Sequence, residues 1–219
     1  MIPPTPALAD VGQLRQRPVH LTPPLRWFSA PEQTFSGSAR TVQLGVGPVG
    51  AGLGPLRAVL SEDLAGQVVV LAGAAGAPGA VWGEILSAAA AGRGAVAALI
   101  DGPVRDAPAV RAARFPVAGA SLATAGPAGL VHVVDVGVEV RIGEVTVADG
   151  DLVIGDEDGI VAVDAATADV VVDAACRYAA AEEAVMGDLR AGVPIDAAYR
   201  HKADAVAALD GAVRPAARR

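Results

Sequence analysis

A chain of 219 residues fits one domain with room for an appendage, and is long enough to bury a proper core. Hydrophobic residues make up 53% of it but aromatics only 3%, so the core is built from small side chains, mostly Ala and Val, on closely packed elements. The net charge of −7 speaks against sequence-independent nucleic-acid binding, and the single cysteine, Cys176, excludes an internal disulfide and suits a reducing cytoplasm.

The N-terminal Met1-Ile-Pro-Pro lacks the basic and then apolar layout of a signal peptide. Residues 68–83 and 115–134 are uncharged, but Pro78 and four glycines break the first, and Pro116, Pro127 and His132 the second. Neither is a continuous membrane-spanning helix, so no membrane partner is expected.

In chain order, Thr5-Pro6 reads as a cap and first position of a short helix over 5–15, followed by a Pro-rich connector over 20–31. Residues 38–44 alternate as a half-buried strand, and Gly54-Pro55 opens a short helix to Leu60. A buried strand over 68–71, a helix over 80–91, a strand over 96–100 and a helix over 107–114 give an alternating α/β pattern. Beyond Phe115 short strands are predicted over 131–134, 138–142, 145–147, 152–154 and 160–163, separated by turn signals. Asp164 caps a helical pattern over 165–191 with Gly192 as its stop, about 40 Å at 1.5 Å per residue. A helix over 195–209 and a basic tail follow. The reading is one α/β domain over 1–164 and a projecting helical extension over 165–219, free to pack on a neighbouring subunit if the chain assembles.

The most informative tripeptide is Val104-Arg105-Asp106, set where an apolar run gives way to Gly102-Pro103. Strand ends opening into Gly/Pro turns are where α/β proteins hold ligands. An arginine there offers a planar charged fork to a carboxylate or an enolate oxygen, and the adjacent aspartate can anchor a hard divalent cation. The loop from Gly73 to Gly79 imitates a dinucleotide-binding turn, with Asp101 about where a ribose contact would stand. Its spacing departs from the fingerprint, and Pro78 has no amide to give a phosphate. A smaller anion suits the next segment better: amides at a helix start near Gly83, Glu84, Ile85 and Leu86 can bind a carboxylate, with Glu84 as an acid for a metal-bound water or a proton. His20, His132 and His201 show no ligand spacing, and Gly155-Asp-Glu-Asp-Gly159 is too short for a calcium loop and reads as a solvated hairpin turn. Glu182 and Glu183 belong to the solvated face of the long helix unless it reaches a neighbouring subunit.

Taken together, Gly37-Ser-Ala-Arg-Thr41-Val42, Trp82-Gly83-Glu84-Ile85-Leu86, Asp101-Gly-Pro-Val-Arg105-Asp106, Gly143-Glu-Val-Thr-Val-Ala-Asp-Gly150-Asp151 and Gly155-Asp-Glu-Asp-Gly159-Ile-Val form an ordered series. It resembles the family of 4-hydroxy-4-methyl-2-oxoglutarate aldolases and the related regulator of ribonuclease activity A. The resemblance implies a swivelling β/β/α domain assembled as trimers or hexamers. It implies a class II pyruvate aldolase, a carbon–carbon lyase with oxaloacetate decarboxylase activity, acting on small 2-oxo acids. Asp106 would anchor Mg²⁺ or Mn²⁺, Arg105 would contact the pyruvyl keto oxygen, and the amides of Gly83 to Leu86 would hold the carboxylate. Glu84 falls on the family's acidic position, 21 residues before Arg105. A glutamate from a neighbouring subunit completes the family's site, and Glu182 or Glu183 is the nearest match. Lys202, the only lysine, lies away from these segments, in keeping with metal-dependent rather than Schiff-base chemistry. Many members carry an acid where Ala72-Gly73 stands and an arginine near Ala120. The alternative from the same resemblance is a non-catalytic binding protein that regulates a ribonuclease or another partner. That branch typically lacks the aspartate after the arginine.

Overall fold

The computed structural model describes residues 2–212 apart from 15–18, 20, 22–24, 49 and 51. The expected ends at Arg15 and His20, and the basic tail, fall outside the described residues. The elements in chain order are α1 (Thr5–Leu14), β1 (Arg26–Ser29), β2 (Phe35–Val46), α2 (Gly54–Val59), β3 (Gln67–Ala72), α3 (Glu84–Gly92), β4 (Ala97–Val104), α4 (Ala107–Ala112) and β5 (Val117–Leu122). There follow β6 (Val131–Val136), β7 (Val140–Ile142), β8 (Val145–Val147), β9 (Leu152–Gly155), β10 (Ile160–Val163), α5 (Ala168–Arg190), α6 (Ile195–Ala198) and α7 (Arg200–Ala212).

Strands β2 to β5 are parallel neighbours joined by crossovers that carry α2, α3 and α4. β1 adds to the β5 side antiparallel, while β9 and β10 extend the β2 side. The twelve-residue β2 serves two partners along that side: β9 pairs with its first four residues and β6 with its last five. Splitting one strand between two partners curls the sheet, giving a mixed α/β fold with a C-terminal helix beside it.

The period of two along β3 and β4 sorts their side chains into two cores. Val69, Leu71, Ala98 and Ile100 meet Leu56 of α2, Ala90 of α3 and Val110 of α4. Val68, Val70, Ala97 and Leu99 face the other way, under Val140, Ile142, Val145 and Val147 of the β7–β8 hairpin. Every residue of β4 is therefore buried, as a parallel strand covered on both faces must be. A third cluster joins Leu8 and Val11 of α1 to Val171, Ala174, Ala175 and Tyr178 of α5 over Ile154, Val161 and Val163. The spacing from Val171 to Tyr178 is one helical stripe. Each large aliphatic side chain so covered contributes about 1.5–3 kcal/mol.

Several expectations need correction. The strand predicted over 96–100 continues through Asp101-Gly102-Pro103 to Val104, because Val81 N donates to the Pro103 carbonyl (2.9 Å) and Trp82 bridges to Val104. For the same reason the helix predicted from Ala80 begins only at Glu84: the chain over 80–82 is engaged as a sheet extension. β1, inside the Pro-rich connector, and β5, after Phe115, were not anticipated; both are short and lack polar alternation. The predicted helix over 165–191 opens as a 3₁₀ turn, Ala165–Thr167, with the Asp164 side chain accepting from Ala166 N. The predicted helix over 195–209 breaks at Tyr199 into α6 and α7.

Two acid-rich segments turn out to be clasps. Asp149 accepts from Thr41 N (2.9 Å), and Asp151 accepts from Ala148 N and Ala165 N, tying β2 to the start of the C-terminal region. Asp156, in the predicted solvated hairpin, accepts from the Thr5 amide (2.8 Å) and hydroxyl and so caps α1 from 151 residues away.

Candidate active site

The site forms where β4 ends and α3 begins. Arg105 N donates to the Trp82 carbonyl (3.0 Å), holding the strand end against the residue just ahead of Gly83, which caps α3. Gly83, Glu84, Ile85 and Leu86 thus stand beside Arg105 and Asp106, although the two acids, Glu84 and Asp106, are 22 positions apart in sequence.

Asp106 is the pivot. Its backbone is left-handed (φ 58°), a conformation an aspartate tolerates better than most side chains, and it opens α4. Its Oδ2 accepts from Glu84 N (3.3 Å) and lies 3.6 Å from Arg105 Nε. Gly83 has no side chain to cap α3, so a carboxylate from another element does so. The amides expected to be free from Gly83 to Leu86 are therefore not all free: Glu84 N–H is taken by Asp106. Those of Ile85 and Leu86 are in the first helical turn, with no partner among the described hydrogen bonds.

Gly83 is glycine for space rather than for its dihedrals. Its φ of −175° suits any residue, but a Cβ there would lie 2.6 Å from Asp106 Oδ2 and 3.2 Å from Arg105 Cγ. On the far side Gly126 passes the guanidinium at ordinary contact distance, a Cβ there lying 3.5 Å from Arg105 Nη1, while a Cβ on Gly79 would lie 2.1 Å from the Gly126 carbonyl oxygen, so the Gly-rich loop closes tightly on the 125–126 segment. Ala80 N donates to the Ala125 carbonyl (2.8 Å) and fixes that closure.

Arg105 and Asp106 side chains are 44% and 40% exposed, open to a ligand from solvent. Glu84 is exposed, and Ile85, at 75%, is the barest large hydrophobic side chain described. Asp101 is not part of this face. It is buried, and its Oδ2 accepts from Gly73 N (3.1 Å) while its carbonyl accepts from Ala74 N, so it pins the Gly-rich loop to β4.

Among the described residues no group of three or more His, Cys, Asp or Glu side chains could hold a metal ion. A cation at Asp106 would keep most of its ligands as water, which is how Mg²⁺ commonly binds one or two carboxylates. The exposed carboxylate, with only Oδ2 committed inside the protein, fits that demand. Glu182 and Glu183 are on α5: Glu182 pairs with Lys202 of α7 (2.8 Å) and Glu183 with Arg190 of α5 itself (3.0 Å). Neither bonds to the Glu84–Asp106 cluster. His201 pairs with Asp188, and His132 packs against Gly45 and Gly50, so neither approaches the site. No helix among the described residues is long and apolar enough to cross a membrane.

Sequence reasoning gave no role to Trp82, quoted only as part of a matching segment, or to Ser87. Both are 1% exposed, and they read as ordinary core and helix positions. The indole N–H of Trp82 donates to Ser87 Oγ (2.8 Å), which donates to the Gly83 carbonyl (2.9 Å).

Comparison with known proteins bears on this geometry. The family model described as RraA-like, Aldolase/RraA, matches residues 5–163. A relative from Halalkalibacterium halodurans, named "Putative 4-hydroxy-4-methyl-2-oxoglutarate aldolase", is 29% identical over 150 residues, 68% of each chain. Among solved structures, an uncharacterised protein from Pseudomonas syringae pv. tomato aligns with a TM-score of 0.81 at 25% identity, over 90% of this chain and 89% of the other. Streptomyces coelicolor RraAS2, described as an unusual member of the RNase ES inhibitor RraA protein family, aligns with a TM-score of 0.73 at 26% identity, over 84% of this chain and 92% of the other. The matched span runs from the start of α1 to the end of β10 and contains the whole Glu84–Asp106 cluster. The chain belongs to the RraA-like Aldolase/RraA family.

Proposed function

We propose that the protein is a divalent-metal-dependent pyruvate aldolase. It would cleave 4-hydroxy-4-methyl-2-oxoglutarate-type substrates to pyruvate and a 2-oxo acid and would also decarboxylate oxaloacetate. The observation that carries the reading is Asp106 beside Arg105, joined through its Oδ2 to the first turn of α3. A fixed cation, an exposed carboxylate and unpaired helix-start amides lie together, the set that a pyruvate enolate requires.

The roles follow from charge and position. The N–H groups of Ile85 and Leu86, at the positive end of the α3 dipole, receive the substrate carboxylate. Arg105 donates to the keto oxygen and stabilises the negative charge that develops there as the carbon–carbon bond breaks. Asp106 would hold Mg²⁺ or Mn²⁺, which when bound supplies Lewis-acid polarisation of that oxygen. Glu84, exposed at the helix start, exchanges the proton between the substrate hydroxyl and solvent. Gly83 leaves room for the Asp106 carboxylate close to the backbone.

In an assembly of copies, a glutamate of the α5 helix would complete the site. Glu182 is committed to Lys202, and Lys202 also lies over the Tyr178 ring (4.9 Å) and 3.8 Å from Asp10. Glu183 is 72% exposed and held only by Arg190 on the same helix. Of the two, Glu183 is the freer candidate in this reading, and the protein would be a homotrimer or hexamer working in the cytoplasm.

The test is pyruvate release from oxaloacetate with Mg²⁺ or Mn²⁺ and with EDTA, against a no-enzyme blank and Arg105→Ala. Asp106→Ala should abolish metal-dependent turnover while the protein stays folded. Turnover no higher than the blank would refute the enzyme and favour a binding protein, a reading in keeping with the description of RraAS2 as a member of the RNase ES inhibitor RraA protein family.

A further inference from the structure

We infer that Trp82 and Ser87 are positioning residues that aim the carboxylate-binding amides of α3 and lock that helix start to Arg105. The inference deepens the aldolase reading and rests on it for its kinetic consequence, but the arrangement is legible without substrate.

The relay is continuous. The buried indole N–H of Trp82 donates to Ser87 Oγ (2.8 Å), and the hydroxyl donates to the Gly83 carbonyl (2.9 Å). That carbonyl also accepts from Ser87 N (3.0 Å), so one peptide oxygen is held from two directions. The peptide so fixed joins Gly83 to Glu84, and the next two amides are those assigned to the substrate carboxylate. The Trp82 main chain meanwhile accepts from Arg105 N (3.0 Å) and bridges to Val104. One residue thus holds the guanidinium-bearing strand end through its backbone and the anion-binding turn through its side chain.

Helix geometry alone does not require this. A first turn is complete with the ordinary Ser87 N to Gly83 O bond, and a serine inside a helix that bonds back to the carbonyl four residues earlier is neutral or slightly unfavourable. The buried hydroxyl instead serves as the acceptor for the Trp82 indole, a donor that would otherwise be buried without a partner. Its service to the fold is to satisfy that indole. Its service to the angle between α3 and β4 is direct, because glycine at position 83 brings no side chain of its own.

The test compares Ser87→Ala and Ser87→Thr with the parent. Kinetically, Ser87→Ala should raise KM for oxaloacetate about 5- to 10-fold, the loss of about one hydrogen bond, with kcat within about 2-fold. Ser87→Thr, which keeps a hydroxyl, should recover most of the difference. Without substrate, amide exchange by NMR should quicken at Glu84 and Ser87 in Ser87→Ala, while Val110 N, which donates to the Asp106 carbonyl, stays protected. An inactive parent protein would refute the aldolase reading, and the exchange data would still decide the relay. Unchanged exchange at Glu84 and Ser87 overturns the relay, as does an unchanged KM in an active enzyme. A fall in kcat alone would assign Ser87 to the chemical step and overturn its positioning role.

Discussion

Gly83→Ala isolates the site from the fold more cleanly than any charge deletion. The backbone at position 83 is extended, so alanine adopts it without dihedral strain. The new methyl would stand 2.6 Å from Asp106 Oδ2, and regaining ordinary contact moves that oxygen by about 0.8 Å. The bond from Glu84 N, already 3.3 Å long, then fails, and Asp106 loses its register with Arg105. Misplacing a reacting group by roughly 1 Å costs about 10²-fold, so kcat/KM for oxaloacetate should fall by about that factor, equivalent to about 2.7 kcal/mol. Stability should fall by only about 1 kcal/mol, since one helix cap is lost. The assay is metal-dependent pyruvate release alongside thermal melting, with Asp106→Ala and the double variant. Because the methyl acts through Asp106, the double variant should be no worse than Asp106→Ala alone. Parent-like turnover and metal affinity in Gly83→Ala would refute the placement of Asp106 in the site.

Other expectations concern the frame around the site. Asp101→Ala removes the acceptor that ties the exposed Gly73 amide to β4, so it should cost about 1 kcal/mol in denaturant melts, with Asp101→Asn milder; a neutral Asp101→Ala would deny the clasp. The clamp of Asp10, Tyr178, Glu182 and Lys202 should weaken in alkali. The Glu182 hydrogen bond, helped by Tyr178, holds the Lys202 pKa above its ordinary 10.5, and burial raises that of Tyr178 above 10.0. In both cases the folded state keeps a proton that the unfolded state has given up. Their stabilising contribution is therefore complete below about pH 10 and is lost as pH rises through the folded values. Melting temperature measured from pH 8 to 11.5 should fall more steeply for the parent than for Lys202→Met, and parallel curves would refute the linkage.

The strands that carry the core were legible because a parallel strand covered on both faces is a short uninterrupted apolar run, as 68–71 and 96–100 are. Arg105, Asp106 and Glu84 stood out for a different reason: charge beside glycine and proline is conspicuous in a chain so poor in charged side chains. What failed were the boundaries around the site. The pattern over 80–91 is apolar and Ala-rich enough to read as helix throughout, yet the first residues are held by Pro103, Val104 and Arg105. No local propensity encodes a partner 22 residues away.

The sequence by itself determined the layered α/β order, the small-residue core and the identity of the charged groups, because composition and hydrophobic period are local properties. Only the tertiary structure decided that Asp106 caps α3, that Gly83 is small to admit that carboxylate, and that Trp82 and Ser87 hold the turn between them. Each of these is a contact between residues on different elements, fixed by how β4 and the 80–82 extension lie side by side. Distance in space, which sets steric fit and hydrogen bonding, is not readable from distance along the chain.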